Sequence, residues 1–444
     1  MFKQYKEVLW LVALVSFTSC DYFDIDSIDP TDSVDAPVAI VDAQSARAAR
    51  AGIYDALQNE NFDTHLAGYQ YFSDEATWTG TFPTRAQFDA FNVQTDNTTL
   101  ATMFSAHYRT INAVNNLVEV LPGIDDPSLN ENEELRASLL GEARFARAFA
   151  YLELVLGWGE VPIVLTPTPS VIDQTQNVTV SSVSEVYDQI ISDLEYAAEN
   201  ISNGESLGIT QEAANALLAR VALYQERYQD AIDFATAAIG EGYDLTSVPY
   251  MEDEIWFLNF SSTDGNSLAF FYGPSALNGR LSIVPSTELI NSYEEGDIRF
   301  GMSVDSLGTT AYGIKYDDFG ASSGSQNDPI RFIRAAEMVL IIAEASANLG
   351  DFETATDMIN MVRNRAGLED IELTAENFED AILQERFVEL AMESGHRLWD
   401  VRRLGRAVEL FGDAGYDACD NVWPLPQRDI DRNPNLEQNS CCNC

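Results

Sequence analysis

The sequence predicts a mainly α-helical protein, in which divergent helix pairs form one scaffold with long aromatic-rich loops and a few short strands between them. Three observations carry this. Segments with apolar residues at i, i+3, i+4 and i+7 recur along the chain. Two of those segments repeat one stripe, an aromatic followed by small or aliphatic residues. The stretches between the helices are too long and too aromatic to be plain connections.

The first 20 residues stand apart from this pattern. MFKQYKEVLWLVALVSFTSC has a basic start at Lys3 and Lys6, an apolar run from Val8 to Phe17, and small residues ending at Cys20. That is the layout of a secretory signal, and the run falls far short of the roughly 20 residues of a membrane span. Phe17-Thr18-Ser19-Cys20 resembles a bacterial lipobox, which would make Cys20 the lipid-bearing first residue of the mature chain. Ordinary signal cleavage, with Cys20 a plain cysteine, is the bland alternative. Residues 21–40, opening DYFDIDSIDPTDSVDAP, are acidic without helical period and read as a flexible tether. Acidic residues directly behind Cys20 resemble the surface-export signal of Bacteroidetes-type lipoproteins. Residues 41–444 are expected to form a single helical domain.

Within that domain, helices are predicted over 44–59, 98–121, 131–157, 182–200, 210–225, 228–240, 330–349, 352–366 and 376–393. In ALYQERYQDAIDFATAAI, Tyr228, Ala231, Ala235 and Ala238 fall on one stripe. In ANLGDFETATDMINMVRNRAG, Phe352, Ala355, Ile359 and Val362 repeat it, two residues after Gly350. This spacing resembles the second helix of a tetratricopeptide-type pair, although Glu226 stands where Gly350 does in the other copy. Such pairs stack, so hairpins distant in sequence can share a core. Residues 66–97 and 244–328 form the long loops, with strand-like runs such as Glu254–Phe260. Loops this long are functional or disordered, and their aromatic content argues against disorder.

Charge narrows the function. The chain has 25 basic and 71 acidic residues, a formal net charge of -46. Such a field disfavours nucleic acid and anionic lipid surfaces. Lysine occurs only at Lys3, Lys6 and Lys315. Self-repulsion of this size needs screening, which suggests a saline source; an ordinary acidic secreted protein is the alternative. The same field favours neutral over sulfated or uronic glycans as ligands.

Catalytic signals are weak, and neither an enzyme nor a cofactor is expected. Gly320-Ala321-Ser322-Ser323-Gly324 fits G-x-S-x-G but lies between polar segments, without the strand and helix a nucleophile elbow needs. His65, His107 and His396 are the only histidines, and no H-E-x-x-H occurs, so no metal site is expected. Asp26, Asp29, Asp32 and Asp35 lack the Gly and closing Glu of a calcium loop. Paired carboxylates such as Asp74 and Glu75 are expected by chance among so many acids.

The binding signal lies in SDEATWTGTFPTRAQFDAF. Trp78, with Phe82 and Arg85 nearby and Asp74 before it, suits a sugar ring, whose apolar face stacks while its hydroxyls need partners. An aromatic that merely anchors its own loop is the competing reading of Trp78. Tyr272, Asn278 and Arg280, in FFYGPSALNGRLS, form a second candidate patch, and Tyr312 and Tyr316 a third. Trp256, in EIWFLNF, reads as buried. Cys419, Cys441, Cys442 and Cys444 can oxidise in an exported chain, and sequence leaves three full pairings open. Cys419 to Cys441 or Cys442 would staple the tail. Zinc is disfavoured, because C-C-N-C lacks C-x2-C spacing.

EARFARAFAYLELVLGWGEVPIV resembles the signature helix and turn of the SusD/RagB family, nutrient-binding lipoproteins of the outer membrane. AEMVLIIAEASANLGDFETATDMINMVRNRAG matches the family's helix pair through Arg334, Glu337, Glu344, Asn360, Arg363 and Arg365. QERFVELAMESGHRLWDVRRLG matches another block through Glu385, Arg386, Glu389, Gly395, Arg397, Asp400 and Arg403. WPLPQRDIDRNPNLEQN resembles the usual ending, through Pro424, Pro426, Asn433, Pro434, Asn435 and Gln438. Two features depart: Ser394 separates Glu393 from Gly395, and SCCNC replaces the usual finish. These blocks read as core, where Arg144, Arg147, Arg363 and Arg397 need carboxylates such as Glu142, Glu344 or Glu389. Gly157 and Gly159 let the chain turn tightly after the signature helix. The resemblance implies a lid over a TonB-dependent transporter that captures oligosaccharides without chemistry, with ligand contacts from the loop around Asp74–Trp78 and, more weakly, from Tyr272–Arg280. A peptide-capturing RagB-like protein would need a deeper site. A bare tetratricopeptide-type interaction scaffold would bury Trp78.

Overall fold

The computed structural model describes residues 36–60, 68–168, 178–320, 322 and 325–439. The principal helices are α1 (Ala43–Glu60), α2 (Pro83–Asp89), α3 (Thr98–Val120), α4 (Glu133–Trp158), α5 (Val183–Asn200), α6 (Gln211–Tyr224), α7 (Tyr228–Ile239), α8 (Ala335–Asn348), α9 (Phe352–Arg365), α10 (Phe378–Glu389) and α11 (His396–Arg403). Polar side chains start most of the long ones. The Asn97 carboxamide accepts from the Thr99 and Leu100 amides, Asn132 caps α4, Thr210 caps α6 and Asp351 caps α9. Ser182 and Glu185 form a reciprocal capping box on α5.

Consecutive helices pack as neighbours from α3 to α9, with α1 laid against α3, and the series passes from α7 to α8 across the whole 244–328 loop. The repeated stripes make this possible. Ala231, Ala235 and Ala238 are buried on α7, and Ala355, Ile359 and Val362 on α9. Small residues let the axes approach closely. The turns before them are also equivalent: Gly350 has φ +85° and Glu226 φ +57°, so the glutamate adopts the left-handed conformation that glycine adopts without strain. The signature helix α4 is buried on nearly every side from Ser138 to Val155 and ends at Gly159, φ +74°.

Two helix expectations need correction. Residues 330–334 are a strand, not the first turn of a helix, and α8 begins only at Ala335. The strand-like Glu254–Leu258 supplies the antiparallel partner for Ile330–Arg334, and that ladder outweighs local helical period. The helix expected over 376–393 stops at Glu389. Beyond it Met392, Ser394 and Gly395 all have positive φ, and a Cβ on Gly395 would sit 2.7 Å from the Tyr69 ring. The described end of the expected tether is also packed: Ala36–Ala39 is a helical turn and Ile40 is buried. Cys20 and the rest of 1–35 lie outside the described residues.

Four further strands tie the loops together. Strand β1 (Ala76–Trp78) pairs antiparallel with β3 (Ile283–Pro285), joining the two long loops. Strand β2 (Glu254–Leu258) pairs with β6 (Ile330–Arg334), so the intervening segment leaves and re-enters the scaffold at one place. Strands β4 (Val304–Leu307) and β5 (Thr310–Gly313) form a hairpin. Trp256 is fully buried among Phe145, Phe149 and Phe332, as expected.

The buried arginines find carboxylates, but not the expected ones. Arg147 makes a two-pronged pair with Asp193, while Glu142 holds Arg50 and Tyr54. Arg363 pairs with Glu294 and Glu385, Arg397 with Asp74, and Glu344 with Arg403. Arg144 stacks on Tyr196 instead, 3.9 Å from the ring centre. Glu389 is the hub, accepting from Arg299, Arg334 and Arg365 at 2.6–3.0 Å, and these cations hold its carboxyl down at about 2 against its burial. Lys315 joins the same cluster through Glu393. Cys419 is disulfide-bonded; Cys441, Cys442 and Cys444 lie outside the described residues.

Candidate functional site

The β1–β3 ladder brings the two candidate patches together. The Thr79 amide donates to the Ser282 carbonyl at 2.9 Å, and the Thr79 hydroxyl to the Leu281 carbonyl at 2.8 Å. Arg280 then reaches across to donate Nη2–H to the Thr81 hydroxyl at 2.8 Å, and its guanidinium lies 4.6 Å from the centre of the Phe82 ring. The spacing in sequence is about 200 residues, so only the folded ladder makes these neighbours.

Trp78 is not the exposed platform of the sequence reading. It is 5% exposed, wedged against Tyr71, Phe271 and Phe82. The turn after it lies directly on its six-membered ring: a Cβ on Gly80 would come within 2.3 Å of the indole. The Trp78 amide donates to Asp89 at 2.9 Å, which pins the strand to the end of α2. The exposed ring is Phe82, at 41%, stacked on Trp78 with centres 6.1 Å apart and 23° between planes. Arg85, on the first turn of α2, is buried with its guanidinium 4.8–5.4 Å from the rings of Phe271, Trp78 and Phe82. Trp78 is thus the pedestal and Phe82 the surface it presents.

The other expected residues divide by role. Asp74 is half-buried and clamped by Arg397 through two bonds of 2.6 and 2.7 Å; its carbonyl accepts from Ser286. It fastens the loop to α11. Tyr272 is buried, not exposed, and stacks on buried Tyr316 with centres 5.9 Å apart. Its hydroxyl has no hydrogen-bond partner among the described residues, and burial drives its pKa far above the usual tyrosine range. Tyr312 is also buried, bonded to Asp305. Asn278 is exposed and shapes backbone: at φ +65° it closes the turn Ser275–Leu277. That loop is built on itself, with the Arg280 amide on the Phe270 carbonyl, Leu281 on Gly273 and Ser282 on Phe271. Gly279 packs against Gly273 so closely that a Cβ would stand 2.0 Å from its carbonyl oxygen.

Sequence reasoning missed Thr81, Phe271 and Gly80, and set Glu75 aside as one acid among many. Glu75 is fully buried beside the loop, its Oε1 accepting from the Met392 amide at 3.0 Å, and burial pushes its carboxyl up to about 8. The one signal for burial of Trp78 was Gly80 itself, a residue with no side chain two places after a large ring. His107 and His396 are both buried and held neutral by desolvation. His65, and Ala321, Ser323 and Gly324 of the G-x-S-x-G match, lie outside the described residues.

No helix among the described residues is long and apolar enough to cross a membrane. Residues 24–223 match the model of a family described as starch-binding and associating with the outer membrane, and residues 308–441 match that of the SusD family. A SusD-like protein of Formosa agariphila is 28% identical over 370 residues, covering 68% of this chain and 73% of that protein. A second from the same organism is 25% identical over 437 residues, covering 81% and 84%. Among solved structures, a laminarin-binding SusD-like protein superposes with a TM-score of 0.77 at 23% identity, covering 90% of this chain and 99% of that one. A SusD superfamily protein from Bacteroides vulgatus gives 0.79 at 21% identity, with the same coverage. With both family models placed on the chain in order and the helical scaffold shared across its length, the protein belongs to the SusD/RagB family.

Proposed function

We propose that this protein is a cell-surface, lipid-anchored glycan-binding protein that captures oligosaccharides and passes them to a TonB-dependent outer-membrane transporter. The single observation that carries the binding half is the Phe82 platform: one exposed aromatic ring, backed by a buried tryptophan, with the Arg280 guanidinium over it and Thr81 beside it in sequence. An aromatic face with donors and acceptors at its edge is complementary to a sugar ring, apolar on its C–H side and polar at its rim. Names of relatives support the same class, laminarin binding in one solved structure and sugar or carbohydrate binding in others. Anchoring at Cys20 and delivery to a transporter follow from the lipobox resemblance and the family. The protein acts by binding, with no chemical step.

Burial of Trp78 is the one mark of the interaction-scaffold reading that the structure bears. The exposed Phe82 above it moves the glycan reading by one ring rather than removing it. The test is a titration of the protein against neutral and charged oligosaccharides and a peptide mixture, followed by tryptophan fluorescence and calorimetry. Saturable binding to a glycan class, weakened by Phe82→Ala, supports capture. Binding to peptides alone would assign the site to the peptide-capturing class, and co-purification of a transporter from outer membranes tests the hand-off.

A further inference from the structure

We propose that the platform selects glycans carrying an anionic substituent, a carboxylate or a sulfate, through Arg280. The inference rests on the reading of Phe82 as the ligand platform and names the substrate class of that site. In a chain with 71 acidic residues against 25 basic ones, arginines have carboxylates in excess, and most of those in the core take them, some two or three each. Arg280 does not. It is exposed, its one side-chain hydrogen bond goes to a neutral hydroxyl on Thr81, and among the described residues no carboxylate lies within ion-pair distance. Its Nε and Nη1 hydrogens have no protein acceptor there and Nη2 keeps a second hydrogen, so one two-donor edge of the guanidinium, Nη2 with either Nε or Nη1, is left for two oxygens.

Three features show that this arrangement is built rather than incidental. The loop that carries Arg280 is fixed by three backbone hydrogen bonds at consecutive residues and by the Gly279–Gly273 contact, so the guanidinium is presented with little backbone freedom. Its guanidinium is held over the Phe82 ring. A second guanidinium, that of Arg85, underlies the same ring from the buried side. Arg280 makes the field at its own guanidinium positive against a whole-molecule field that is strongly negative. The two fields act at different ranges. The global repulsion is screened over about 8–10 Å at physiological salt, whereas a contact pair at Arg280 survives it. The local contact therefore overrides the preference for neutral ligands that net charge alone implies.

The experiment uses full-length protein in detergent at moderate salt and two matched ligand pairs. One is tetragalacturonate and its methyl ester; the other is a sulfated galactan tetramer and its desulfated form. The inference expects the charged member of one pair to bind about tenfold more tightly than its neutral partner. Arg280→Ala should bring the two to equal affinity without changing Tm, and Arg280→Lys should recover only part of the difference. Which pair shows the preference names the substituent. Equal binding within both pairs, or an equal loss for charged and neutral members in Arg280→Ala, overturns the inference while leaving glycan capture standing. No binding by any of the four, nor by neutral laminari-oligosaccharides, removes both.

Discussion

Phe82 and Trp78 differ by four positions and by opposite jobs. Phe82→Ala removes the exposed ring and should weaken glycan binding by about 1–3 kcal/mol with Tm unchanged. Trp78→Ala empties a buried site and should cost about 3–5 kcal/mol of stability, read in a denaturant titration, with binding lost as a consequence. If Trp78→Ala were neutral for stability, the pedestal role would be wrong. Glu75 offers a test with a sign. Its folded pKa of about 8 lies above the unfolded 4.5, so the folded state keeps a proton that the unfolded state releases. Stability from this group therefore falls as pH rises from about 4.5 to 8. Glu75→Gln should match wild type near pH 4.5 and exceed it at pH 8; a gap that does not widen with pH would place the proton elsewhere.

At the scale of elements, the acid-rich core cluster is where the helices α8, α9 and α10 and the 244–328 loop are joined. Glu389 receives three arginines at a fully buried position. Removing the carboxylate strands those cations, so Glu389→Ala should destabilise by about 3–5 kcal/mol. Here the shift is downward, from 4.5 to about 2. Its stabilisation is thus fully present above pH 4.5 and is lost as pH falls toward 2, so Glu389→Gln and wild type should converge in Tm at the acid end of that window. The helices themselves were legible in the sequence because α7 and α9 carry their packing surface as a periodic stripe. The strand at 330–334 was not, since its partner β2 lies some 75 residues earlier and pairing at that distance leaves no local mark. Ion-pair partners were hidden for the same reason: Arg397 and Asp74 are 323 residues apart. The site was half legible. Loop composition picked out both patches, and Arg280 and Phe82 within them, but ring size pointed to Trp78 and Tyr272, which the fold buries because large rings are the better supports.

For the whole molecule, the net charge of -46 is carried by a scaffold whose arginines are largely spent inside it. The surface is left with little positive charge to offset its acids. Raising salt should therefore raise Tm, most steeply at low ionic strength where screening changes fastest, and an uncharged osmolyte of matched osmolality should not reproduce the effect. A flat Tm from dilute buffer to about 1 M salt, where the screening length is about 3 Å, would mean that self-repulsion is already relieved by the spacing of the acids.

The β2–β6 ladder has a consequence for how such a protein can change. Because the segment between those strands departs and returns at adjacent points, the parts of it outside the Arg299 and Lys315 ion pairs can change in length and composition without moving the helical stack, much as an interchangeable head is changed without its handle. Arg280 belongs to that segment and Phe82 to the other loop, so a lineage could keep the ring that any sugar needs and rewrite, in one insertion, the group that decides which sugar is kept.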